Sequence, residues 1–307
     1  MSTEIATLGD VFGDMGMDLA DAMGFGNVSA GKYATLPQLS QLYKALKGEM
    51  EVKGRKMMVE TIPGGYYKYE DADGNTVYSD TVTVRIFMQR FFWQRYEKFA
   101  APVDDKQGRM YMTTLVTNIN SGDLKDNYGG FNCGRPSGYI KDYKSLSGKL
   151  QEIVKNTKRV MAVFGVVKLN NPTDANGNPV EFDGWHPFLI NVKNRYSVKG
   201  IEDGIKGIMK NNRLPIQYTA EWGSNFEPLP NGENNYFITM KPIEAVQLDA
   251  GDQQLMRDFV DYVEERNRGI LSMWDRAHSK DMSDDDKAFI DGFIDIGGSD
   301  IEEAEAA

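Results

Sequence analysis

The chain has one cysteine and two histidines among 307 residues, and that scarcity removes whole classes of chemistry. Alone, Cys133 cannot form an internal disulfide, and its solitude fits a reducing compartment. With only His186 and His278 to join it, a zinc site of the usual Cys/His kind cannot be assembled. No run approaches the roughly 20 consecutive apolar residues that a membrane-spanning helix needs. Residues 1–16 carry neither a basic stretch nor an apolar run, so no secretory signal is expected. The expected location is the cytoplasm, that of the host cell if a phage encodes the chain. Catalysis is not expected either. Acid–base work would fall to carboxylates, and the clustered ones, Asp284, Asp285 and Asp286, lie in a polar C-terminal stretch unsuited to hold catalytic geometry. The strand-like segments contain almost none of the carboxylates a two-metal nuclease requires. No cofactor and no metal are expected.

Positive charge is missing where the chain begins and ends. Residues 1–30 hold Glu4, Asp10, Asp14, Asp18 and Asp21 with no Lys or Arg, and residues 281–307 set ten acids against Lys287. The net charge is −10, so residues 31–280 carry +4. The sequence thus divides into an acidic Met/Gly-rich segment (1–30), a binding domain (31–248), a C-terminal helix (249–280) and an acidic tail (281–307). In the first segment Leu8, Val11, Phe12, Met15, Leu19 and Met23 recur at helical spacing, weakened by four glycines.

Between these ends the pattern is β-rich. Strands are expected at 57–62, 66–69, 76–78, 81–96, 110–118, 159–169, 185–193, 215–222 and 236–241. Residues 71–75 read as a hairpin turn; a calcium loop shares Asp71, Asp73 and Asn75 but requires Gly where Thr76 stands. Asn176-Gly177 marks a second sharp turn. Helices are expected at 146–157, 198–211 and 252–277, the last with an apolar stripe that includes Leu255, Phe259, Val263 and Ile270.

Residues 81–96 carry the most information. A strand sends alternate side chains to opposite faces. One face would hold Val82, Val84, Ile86, Met88, Arg90 and Phe92. The other would hold Thr83, Arg85, Phe87, Gln89, Phe91, Trp93 and Arg95, rings framed by arginines. Such a face suits single strands: bases stack on exposed rings for about 1–3 kcal/mol each, and guanidinium groups meet phosphates. The alternative is that Phe87, Phe91 and Trp93 lie under a helix. Further basic–aromatic patches are Tyr66, Tyr67, Lys68 and Tyr69; Tyr139, Lys141, Tyr143 and Lys144; and Trp185, Lys193, Arg195, Tyr196 and Lys199. The Gly-rich stretch 127–138 resembles a phosphate-binding loop only superficially, because Arg135-Pro136 replaces the required Lys-Ser/Thr. Arg135 is a candidate phosphate contact. Cys133 has no nearby histidine to activate it as a nucleophile.

This organisation resembles the bacteriophage single-stranded DNA-binding proteins, which join an oligonucleotide-binding (OB) barrel to an acidic tail. The likeness is one of architecture; no invariant motif is shared, and the tail ends in Glu-Ala-Ala where some members carry an aromatic. It implies an α+β, β-rich fold: an OB-like antiparallel barrel with inserted helices, over roughly residues 50–245, followed by the long helix and the tail. It implies sequence-independent binding of single-stranded DNA, or RNA, in replication, recombination or repair. It also implies a tail that competes with DNA and docks replication proteins through Phe289, Phe293, Ile294, Asp300, Glu302 and Glu303. Self-association is a further expectation. The competing reading is a virion structural or assembly protein with acidic interaction termini.

Overall fold

Short polar turns punctuate the extended segments, and two of them are built alike. In a computed structural model, which describes residues 36–278 apart from 53–54, 104–105, 121, 211, 231 and 233, the elements run in this order. Strands β1 (Gln38–Gln41), β2 (Leu46–Val52), β3 (Arg55–Ile62), β4 (Tyr67–Glu70), β5 (Thr76–Ser79), β6 (Val82–Val103) and β7 (Lys106–Met112) come first. Then come α1 (Gly148–Asn156), β8 (Thr157–Leu169), β9 (His186–Val192), α2 (Arg195–Met209), β10 (Tyr218–Pro228), β11 (Asn234–Ala245) and α3 (Ala250–His278). The expected amphipathic segment 1–30 and the tail 281–307, with Phe289, Phe293, Ile294, Asp300, Glu302 and Glu303, lie outside the described residues.

The turn after β4 closes on itself. Asp71 Oδ1 accepts the backbone N–H of Asp73 and Asn75 at 2.9 and 2.8 Å, and Oδ2 accepts the Asn75 amide at 2.9 Å. Those bonds, the Asn75 side chain first, hold the Asp71 carboxyl below the usual carboxylate range. Asp174 repeats the arrangement with Asn176 and Asn178. Both loops place a glycine, Gly74 or Gly177, in the left-handed region that a side chain disfavours. The carboxylates are consumed by their own loops, which agrees with turns and not with a calcium site.

Nine strands form one sheet in the order β11-β10-β6-β8-β9-β1-β4-β5, with β7 also paired to β6; β2 and β3 form a separate hairpin. Every pairing is antiparallel except a single parallel bridge between β1 and β9. The sheet curls until β4 approaches β10: the Tyr67 hydroxyl donates to Gly223 O at 2.9 Å, and Gln41 Nε2 to Ser224 Oγ at 2.9 Å. The outermost strands, β11 and β5, do not pair with each other among the described residues, so the barrel stays open. Among the described residues the fold is therefore α+β and strand-rich, with three α-helices of which the last is long.

Two cores result. Inside the curl, Val82, Val84, Ile86, Met161, Val163, Phe188, Trp222 and Ile238 pack with Val198, Ile201 and Ile205 of α2. Outside it, Phe87, Met88, Phe92, Phe164 and Val166 pack beneath Phe259 and Val263 of α3. Helix α3 starts in a reciprocal cap, Asp252 N–H donating to Asp249 Oδ1 and Asp249 N–H to Asp252 Oδ2, which satisfies donors a helix start leaves open.

The register between β6 and β8 slips once. Ile86 faces Gly165 and Met88 faces Phe164, leaving Phe87 as the extra residue of a β-bulge. A Cβ at Gly165 would run into the Arg85 carbonyl oxygen. Gly165→Ala should therefore lower stability by about 2 kcal/mol, because the bulge cannot give way without disturbing both cores. A fall in the urea midpoint at unchanged slope checks this.

Candidate nucleic-acid interface

The arginine–aromatic face expected on residues 81–96 is not one surface. The bulge inverts the alternation, so Arg85 and Phe87 turn outward under α3, whereas Phe91 and Trp93 join the inner core. Arg85 Nη2 donates to Asp252 Oδ2 at 2.7 Å and to Ile216 O at 3.3 Å. Phe87 is 7% exposed and meets Phe259 edge-on at 5.8 Å. Phe91 is equally buried, and Trp93 is half-buried. Arg95 is buried; its Nε donates to Cys133 O at 2.7 Å and its guanidinium lies 3.9 Å from the Tyr111 ring centroid. Tyr67 is fully buried, which raises its hydroxyl pKa, and Lys68 pairs with Glu70 at 2.6 Å. Tyr69 lies in the inner core as well, pushed up to about 12 by burial and by Asp71. These residues hold the fold. The physical reason is that a central strand covered on both sides must send rings into two cores.

Exposed rings and cations gather elsewhere, in the stretch from β7 through α1. The described residues of 113–147 contain only isolated bridges and one 3-10 turn (Asn132–Gly134), and side chains hold them in place. Asp126, whose pKa burial raises, accepts the N–H groups of Tyr128 and Gly130 at 3.0 Å each. Asn132 Oδ1 accepts Leu124 N–H at 2.9 Å, and Asn132 and Cys133 both adopt left-handed backbone. Helix α3 clamps the same stretch. Asn267 takes the N–H and gives to the C=O of Leu115 at 2.7 and 2.9 Å, and Trp274 Nε1 donates to Gly130 O at 3.2 Å.

On this scaffold the Arg135 guanidinium lies over the Trp93 indole, 4.6 Å from its centroid, with Nη1 donating to Pro136 O at 3.0 Å. Tyr139 is 87% exposed, and Phe131 and Tyr143 are exposed beside it in sequence. Lys141, Lys144, Lys149, Lys155 and Lys158 are all exposed, and none pairs with a carboxylate among the described residues. Arg159 lies 4.4 Å from the Phe91 centroid and pairs with Glu202 at 3.2 Å. Lys125 sits 3.9 Å above the Trp274 ring. Across residues 125–159 there are eight Lys or Arg against three Asp or Glu, so this stretch alone accounts for the whole positive excess of the central chain.

The remaining expected residues divide. Val192 pairs with Met161, which brings Lys193, Arg195 and Tyr196 to the end of the sheet that carries Arg159. Arg195 Nη2 donates to the Tyr196 hydroxyl at 2.8 Å. Trp185 is exposed but precedes the opposite end of β9, away from that surface. Sequence reasoning missed Lys125, Phe131, Lys149, Lys155, Lys158, Arg159 and Trp274. The excess of cations over carboxylates along 125–159 was the available signal. Among the described residues no cluster of His, Cys, Asp and Glu could hold a metal ion, and no helix is long and apolar enough to cross a membrane.

The two classes of arginine should separate on mutation. Arg85→Ala leaves the Asp252 carboxylate buried without its partner and should lower stability by about 3 kcal/mol. Arg135→Ala removes a cation–π contact at the surface and should cost less than about 1 kcal/mol. Urea denaturation of both variants reads the difference. Burial also pushes the Cys133 thiol up, and its Sγ donates to Trp93 O at 3.3 Å. It should resist Ellman's reagent at mildly alkaline pH in the native protein and react fully in urea. No protein-family model, no curated protein and no solved structure matches the chain.

Proposed function

We propose that the chain binds single-stranded nucleic acid without sequence preference and without catalysis, on the surface of residues 125–159 in place of the face first expected on β6. The observation that carries this reading is the set of five exposed, carboxylate-free lysines beside the Arg135–Trp93 stack and the bare ring of Tyr139. Lysines along a groove neutralise phosphates and release counterions, and exposed rings stack on any base. Stacking and phosphate neutralisation carry no sequence information, so affinity without a sequence code is the consequence.

The fold reading that accompanies it is an open barrel of the oligonucleotide-binding kind: a strongly curled antiparallel sheet with α2 supplying part of its interior. The acidic tail fits as a competitor for the same surface. The end of α3 lies against the loop, where a Cβ at Gly129 would meet Ala277 and His278, so the ten acids of residues 281–307 follow directly in the chain. Tethering holds such a segment at high effective concentration near Lys125 and the lysines beyond. Docking of replication proteins through that tail belongs to the same reading.

A second reading, a subunit of a larger assembly such as a virion, draws on the separate β2–β3 hairpin, where Met57 and Met58 are 53% and 61% exposed. A concentration-dependent oligomer in sedimentation that ignores oligonucleotides would favour it.

Fluorescence anisotropy with labelled oligonucleotides tests the binding proposal. Tyr139→Ala should weaken binding by about 1–3 kcal/mol. Lys141→Ala and Lys144→Ala should each reduce the slope of log affinity against log salt by about 0.7. Removing residues 281–307 should raise affinity. No binding by the full chain or by the shortened one would end the proposal.

A further inference from the structure

The ladder between β6 and β8 ends at Arg95 and Thr157, yet β6 runs on to Val103. Beyond Arg95 its only strand partner among the described residues is β7, so the two continue as a ribbon. A two-stranded ribbon alone is marginally stable in water. Rings and guanidinium groups hold this one, on the face that continues from Trp93. Residues directly opposite share a face, so Arg95 and Glu97 of β6 stand beside Tyr111 and Arg109 of β7. Tyr111 lies 3.9 Å from the Arg95 guanidinium and 4.7 Å from the ring of Tyr128, which the neighbouring loop supplies. Arg109 then lies over Tyr128 at 5.5 Å and over Phe99 at 5.2 Å.

The two arginines of this ladder differ in what they have left to give. Arg95 is buried, and it donates to Cys133 O at 2.7 Å and to Glu97 Oε2 at 3.1 Å. Arg109 is exposed, and it pairs with no carboxylate among the described residues. Two rings nevertheless hold its guanidinium in place. An arginine fixed by stacking keeps donors for a forked bond to an oxyanion and loses little freedom in making it. The fitting ligand is therefore an oxyanion that arrives with flat groups, because Phe99 and Tyr128 are only half-buried beside it. A nucleic-acid strand has both, phosphates for the guanidinium and bases for the rings. Position favours the strand over an acidic peptide. The Arg135–Trp93 stack lies on the same face of β6, and Glu97, which Arg109 opposes, is only four residues, about 13 Å of strand, beyond Trp93.

We infer that the β6–β7 ribbon is a second half of the nucleic-acid track, with Arg109 gripping a backbone phosphate and Phe99 offering a stacking face. This rests on the single-strand reading above and gives the strand a direction, off the surface of residues 125–159 and out along the ribbon.

Fluorescence anisotropy with labelled oligothymidylates of about 4 to about 16 nucleotides separates the two halves. Arg109→Ala should weaken binding of the longest about tenfold, reduce its salt slope by about 0.7 and leave the shortest unchanged. Tyr139→Ala should weaken binding at every length. Gln107, exposed and next on the same side of β7, provides a variant that spares the ladder. Gln107→Glu sets a carboxylate beside Arg109 and should reproduce the loss with the long oligonucleotide at an unchanged urea midpoint. Unchanged long-oligonucleotide affinity in both ribbon variants, with Tyr139→Ala still weakened, would overturn the ribbon and leave the single-strand reading standing. An equal loss at every length for Arg109→Ala would overturn it too, since the residue would then act on the first half or on the fold. Tighter binding by Arg109→Ala in the full chain, with no effect once residues 281–307 are removed, would make the acidic tail the occupant and also overturn it. No binding at any length, by the full chain or the shortened one, would remove both.

Discussion

At Phe87 the ladder between β6 and β8 slips by one residue, and Gly165 stands opposite because a side chain there would strike the Arg85 carbonyl. Much of the molecule follows from that slip. Before it, Val82, Val84 and Ile86 face the interior of the curled sheet; after it, Phe91 and Trp93 take over that side. Phe87 and Met88 drop together into the outer core, where Phe259 of α3 closes over them. Arg85 is thereby aimed at the start of α3 and ties it down through Asp252. The local bend also coincides with the interval in which β6 has lost β10 and not yet met Val116, which leaves a cleft between α2 and α3.

Helix α3 has a second role at its far end. Asn267 completes the backbone bonds of Leu115, and Trp274 fixes Gly130, so a stretch with little regular structure is held at two points by one rigid element. Buried polar side chains finish the task from within, Asp126 and Asn132 replacing the ladder that residues 113–147 lack. A loop built this way can carry exposed rings and cations at defined positions, because its backbone polar groups are satisfied without using them. The arginines divide accordingly: Arg85 and Arg95 are spent inside the fold, while Arg135 lies on the Trp93 ring at its edge.

Alternation and helical stripes in the sequence locate most elements. Residues 159–169 and 252–277 are legible because apolar side chains recur at the periods of a buried strand and of a packed helix. The β1 strand and the β2–β3 hairpin are less so, since Lys44, Lys47, Glu49 and Glu51 interrupt the apolar pattern around them. The two faces drawn for residues 81–96 hold through Phe87 and invert from Met88 onward. Phe87 and Met88 are both apolar, so no break in composition marks the inserted residue, and only the partner strand shows it. The candidate site suffered from the same blindness: arginines and rings on a strand look alike in sequence whether they serve a ligand or a core. The patch of Tyr139, Lys141, Tyr143 and Lys144 was legible for the opposite reason, because its cations sit among glycine, serine and proline, with little apolar sequence to cover them.

Photo-crosslinking with a halogenated-uracil oligonucleotide, followed by mass spectrometry of the adducts, tests the central claim most directly. Adducts at Tyr139, Tyr143, Phe131 or Trp93 are the predicted result. Adducts confined to the neighbourhood of Trp185 or to the β2–β3 hairpin, with none between residues 125 and 159, would contradict it.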